Sequence, residues 1–187
     1  MDDSIHERGR AIEDLFFQQK DQQLLEKLRS EMAADKSRAS LEQASGIHDP
    51  VVLNALLANG ITPETLLSVG LIPLVVVAWA DEVIEEAEKN AILQAADIAG
   101  IKIGTAAHET LEFWLKSRPP TSLLESWMAY VHALHRSLEP ASMQQLKSQV
   151  LQRAEGVAKS AGGFLGLGSK ISNAERSVLD ELEKAFG

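Results

Sequence analysis

Two helix entrances of the same design stand 87 residues apart in this chain, and they commit much of it to a helical architecture with internal symmetry. DEVIEEAEKNAILQAADIAG runs from Asp81 to Gly100, and GSKISNAERSVLDELEKAFG runs from Gly168 to Gly187. Aligned without a gap, Ile84 falls on Ile171, Ala87 on Ala174, Glu88 on Glu175, Lys89 on Arg176 and Gly100 on Gly187. Ser172 and Glu175 have the spacing of a capping box, in which the hydroxyl accepts from the first-turn backbone while the glutamate reaches back. Glu85 and Glu88 occupy the same two slots in the first copy.

The rest of the chain carries similar punctuation, with no convincing alternating strand. Asp49-Pro50 sets a capping carboxylate before a proline at the first helical position, and Asn59-Gly60 closes that helix. Thr62-Pro63 repeats the device for a short helix ending near Gly70. Pro73 opens LVVVAWA, which is apolar all round and therefore belongs in a core. Thr105 caps a helix to about Lys116, Ser122 with Glu125 forms a second capping-box pattern, and a longer helix is expected from Pro140 to Ser160. The fold expected is all-α: a compact helical domain over 46–187 with an internal pseudo-repeat, preceded by an N-terminal helical arm over 1–45.

That arm is rich in Gln, Glu, Lys and Arg. Its thin apolar seam of Ile12, Leu15, Phe16, Leu24, Leu25 and Leu28 is interrupted by the polar stretch Gln18 to Gln23. It reads as two helices, or one with a shift of face, followed by a short helix over Lys36 to Ala44. A narrow stripe suits either docking on its own domain or pairing with another chain, and both remain open at this level.

A net charge of −9 argues against non-specific binding to nucleic acid or an anionic membrane, which select for a basic face. The absence of cysteine excludes disulfides, thiolate zinc sites and cysteine nucleophiles. The N-terminus MDDSIHERGR lacks the order of a signal peptide, and the most apolar stretch, Leu71 to Ala80, is far short of the roughly 20 residues that span a bilayer. A cytoplasmic location without membrane insertion is the expectation.

Asp81, Glu82, Glu85, Glu86 and Glu88 place five carboxylates within eight residues. Capping and the helix dipole explain acids in a first turn. Asp81 is different, because its counterpart is Gly168 and capping does not require an acid there. Hard cations such as Ca²⁺ or Mg²⁺ prefer oxygen ligands, so Asp81, Glu85 and Glu88 are the candidate metal set, although their spacing is not that of an EF-hand.

LIPLVVVAWADEVIEEAEKNAIL resembles the signature of the TerB-like family, named for tellurite-resistance proteins. In that family an apolar helix ends in an Ala-Asp-Gly turn before an acidic helix start. Ala80, Asp81, Val83 or Ile84, and Glu88 match, while Glu82 stands where glycine is usual. GSKISNAERSVLDELEKAF resembles a weaker second copy with Gly168 at the aspartate position. The resemblance covers roughly residues 71–187. It implies a compact pseudo-symmetric helical fold, an acidic surface considered for divalent cations, and association with stress-response or membrane-linked assemblies.

Other patterns carry less. The run from Gly163 to Lys170 ends Ser-Lys where a P-loop needs Lys-Ser/Thr, and it follows a helix, so it reads as a connector. His132 and His135 lack a third ligand and read as solvent-facing or hydrogen-bonded residues. Trp79, Trp114 and Trp127 read as core anchors, and no nucleophile setting is present. The expected function is therefore non-enzymatic and needs no cofactor: partner binding or self-association through the arm or the acidic junction. The alternative is a divalent-cation-binding TerB-like module.

Overall fold

The computed structural model describes the backbone of residues 3–160 and 171–187, with side chains from residue 22 onward. The eight α-helices described are α1 (Asp3–Ser45), α2 (Pro50–Ala58), α3 (Ile72–Ala78), α4 (Glu86–Ile98), α5 (Ala106–Lys116), α6 (Thr121–His135), α7 (Pro140–Ser160) and α8 (Asn173–Lys184). A 3-10 helix, Leu66–Leu71, precedes α3, and no strand occurs among the described residues. The fold is all-α, as the sequence predicts. The Gly163 to Lys170 connector lies outside the described residues.

The chain divides into two units, Met1–Ala39 and Ser40–Gly187. The first consists of most of α1, which is one continuous helix: of the two readings the seam left open the single helix holds, and the separate helix expected over Lys36 to Ala44 is its continuation. Gln, Asp and Lys leave a helix intact as readily as they leave an apolar stripe, and no glycine or proline lies between Arg10 and Gly46. A change of face therefore does not require a break. The last turns of α1 belong to the second unit, where Leu41 is fully buried in the core.

Within the second unit α3 is central. Ile72, Pro73, Leu74, Val75, Val77 and Ala78 are all buried, and α3 packs against α4, α6, α7 and α8. Around it, α7 also packs against α4 and α8, and α2 lies on α6. Trp114 and Trp127 are buried, and the Trp127 ring meets Phe186 edge-on at 5.9 Å, fastening the end of the chain to α6. Trp79 is half-buried, and its indole N–H donates to the Trp114 carbonyl at 2.8 Å.

Local chemistry sets most of the boundaries. The Asp49 carboxylate accepts from the Val51 N–H at 3.0 Å to start α2, and the Thr105 hydroxyl accepts from His108 at 3.3 Å to start α5. Two expectations are corrected. The segment after Thr62-Pro63 forms a turn and a 3-10 helix, with Thr65 accepting from the Thr62 N–H. The Ser122–Glu125 capping box does not form, because α6 starts earlier: Pro120 is its cap, and Ser122 instead donates to the Asn59 side chain at 2.8 Å. No described helix is long and apolar enough to cross a membrane.

Candidate functional site

The acidic junction lies between the end of α3 and the start of α4. The chain leaves Trp79 through a tight turn in which the Glu82 N–H donates to the Trp79 carbonyl at 3.1 Å. Glu82 has φ of 74°, and among the described residues it is the one non-glycine with positive φ. This is the position where the TerB-like pattern has glycine. An L-residue with a long side chain pays about 1 kcal/mol for that conformation. Its carboxylate stays exposed and approaches Arg118 at 3.4 Å, a contact too solvated to offset much. Glu82→Gly is therefore expected to raise stability by about 0.5–1 kcal/mol, read as a higher urea midpoint with unchanged slope.

Asp81 is exposed, and its carboxylate accepts weakly from the Val83 N–H at 3.4 Å. Glu85 is the exposed N-cap of α4. Glu88 is buried at 3% exposure, and its carboxylate turns back to accept from the Glu85 N–H at 2.8 Å. The second copy repeats this arrangement. Glu175, at 5% exposure, accepts from the Ser172 N–H at 2.6 Å, while the Ser172 hydroxyl accepts from the Glu175 N–H at 3.1 Å. Gly100 and Gly187 close their helix ends with φ of 81° and 88°, so the pseudo-repeat extends to the terminal backbone conformation.

The fold also sets Glu175 near enough for its charge to act on Glu88, which the spacing alone does not state. Burial, followed by the nearby charges of Glu175, Asp81 and Glu85, pushes the Glu88 carboxyl from its ordinary 4.5 to about 7, against the lowering effect of the Glu85 N–H. Glu175 is the member of this cluster that a reading of one helix at a time misses. The signal for it was the repeat itself.

Of the three candidate metal ligands, then, Asp81 and Glu85 face solvent, and Glu88 is engaged with backbone. Among the described residues no group of three or more His, Asp or Glu side chains is arranged to hold a metal ion. The chemistry on view is proton binding and helix capping. His132 and His135 are both exposed on α6.

A second feature is a cleft of about 380 Å³ above α3, bounded by α6, α8 and the α5–α6 connection. Trp79, Leu124, Met128 and Val178 supply apolar lining, and Arg118, Glu125 and Glu181 supply charge. No protein-family model, curated protein or solved structure matches the chain.

Proposed function

We propose that this is a non-enzymatic helical interaction protein that works by association, with α1 as its principal surface and a second copy of the chain as the occupant. The observation that carries the reading is the exposure of Leu24, Leu25, Leu28 and Met32 within three turns of α1. Large apolar side chains concentrated on one exposed stripe favour burial against another helix.

Leu25, Leu28 and Met32 follow the 3,4 spacing of a coiled-coil seam. In a parallel pair with that seam, Glu31 flanks it and meets the partner's Lys36 five residues on, an opposite-charge match repeated on both sides. An antiparallel pair would set like positions against each other and lose that match. The resemblance to the TerB-like family directs the search for the process served to stress-response and membrane-linked assemblies.

The test is molar mass by light scattering over a concentration series, using the full chain, Leu25→Ser/Leu28→Ser and residues 40–187. The cut falls at residue 40 because Leu41 belongs to the core. The full chain is expected to gain mass with concentration toward twice the monomer, and both variants to stay monomeric. Equal mass for all three at every concentration would refute the reading.

A further inference from the structure

We propose that the cleft between α3, α6 and α8 receives an extended segment of a partner protein, one that inserts a large apolar side chain next to a lysine or arginine. This deepens the reading of the protein as an interaction module and rests on it. The proposal concerns a surface separate from α1.

The cleft draws its lining from four places in the chain. Val76 comes from α3 and Trp79 from its C-cap, Pro119 and Pro120 from the α5–α6 connection, Leu124 and Met128 from α6, and Val178 from α8. Trp79, Leu124, Met128 and Val178 are half-buried, each leaving part of its apolar surface facing the cleft. The Trp79 N–H is already committed to the Trp114 carbonyl, so the indole offers the cleft its apolar ring and not a donor. At about 380 Å³ the space suits one or two side chains and is too small for a helix.

Charge selects the occupant. Three charged residues line the cleft: Arg118, Glu125 and Glu181. The Arg118 guanidinium is directed to Glu82 at 3.4 Å. Among the described residues Glu125 and Glu181 have no cation within ion-pair distance. With two unpaired carboxylates against one guanidinium the rim is net acidic around an apolar floor, and its complement is an apolar side chain with a neighbouring cation. An acidic segment would be repelled, which gives the site a sign that can be tested.

The experiment titrates the full chain with acetyl-Lys-Leu-Phe-Lys-amide and, separately, with acetyl-Glu-Leu-Phe-Glu-amide. The readouts are the NMR shifts of the Trp79 indole N–H and the Met128 methyl. The basic peptide is expected to move both signals and to bind at least roughly tenfold more tightly than the acidic one. Glu125→Lys/Glu181→Lys changes two exposed positions and should invert that order, with an unaltered melting temperature as the check on folding. Equal affinity for the two peptides, preference for the acidic one, or no shift with either would overturn the proposal. Light scattering on the same charge-reversed protein separates the two readings, because association through α1 should persist when the cleft is altered.

Discussion

Leu41→Ala is expected to destabilise the second unit by about 2–5 kcal/mol, the range for deleting three carbons from a packed core. Leu41 has no exposed surface and is part of the same apolar cluster as Leu53, Leu56 and Leu74. Its neighbours cannot fill the space without shifting helices that pack on other sides, so both the lost transfer energy and the cavity contribute. Leu28→Ala, on the same helix at 46% exposure, should change stability by no more than about 0.5 kcal/mol at a protein concentration low enough to keep the chain monomeric. Urea unfolding followed by tryptophan fluorescence reads both, since Trp79, Trp114 and Trp127 all lie in the second unit. Similar costs at the two leucines would mean that the end of α1 is not part of the core.

The second large effect is a pH dependence centred on the paired entrances. Glu88 holds its proton more tightly in the folded chain, at about 7, than in the unfolded chain, near 4.5. The folded state therefore binds more protons between those values, and stability falls as pH rises through the window. The contribution of Glu88 is complete below pH 4.5 and is gone above about pH 7. The full shift corresponds to roughly 3 kcal/mol, and about 1–2 kcal/mol is expected because water screens the exposed Asp81 and Glu85 that contribute to it.

Glu88→Gln keeps an oxygen that can accept from the Glu85 N–H and removes the charge. It should match the wild type below pH 4.5 and exceed it by about 1–2 kcal/mol near pH 8, measured by urea unfolding at each pH. Glu175→Gln should lower the Glu88 transition toward its ordinary value, because it removes one of the charges that raise it. Parallel stability profiles for wild type and Glu88→Gln across the window would contradict this account.

Signals contained within one turn of chain were legible in the sequence. Asp49, Thr105 and Ser172 cap the helices assigned to them, because a side chain bonding two or three residues onward needs nothing else. The apolar helix after Pro73 and the paired glutamates Glu88 and Glu175 were legible for a related reason. One is apolar on every face, and the other is written twice.

What the sequence hid depends on distant residues. Ser122 matches a capping pattern, yet its hydroxyl is taken by Asn59, 63 positions away, and Pro120 already fixes the start of α6. The acidic run gave Asp81, Glu85 and Glu88 as one set, whereas the fold exposes two of them and buries the third where the charge of Glu175 also acts on it. The cleft could not be read at all, since its lining runs from Val76 to Glu181 with no local motif. In α1 the seam leaves one helix or two open, and what it misleads on is the separate short helix over Lys36 to Ala44, which continues the same helix because no residue before it breaks one.

The central claim is that α1 is the surface through which this protein associates. Hydrogen exchange compared at low and high protein concentration tests it most directly. Amides from about Leu24 to Met32 are expected to gain protection as concentration rises, while those from Leu41 to Ser45, already part of the second unit, stay unchanged. Unchanged exchange in α1, with protection appearing only elsewhere or nowhere, would contradict it.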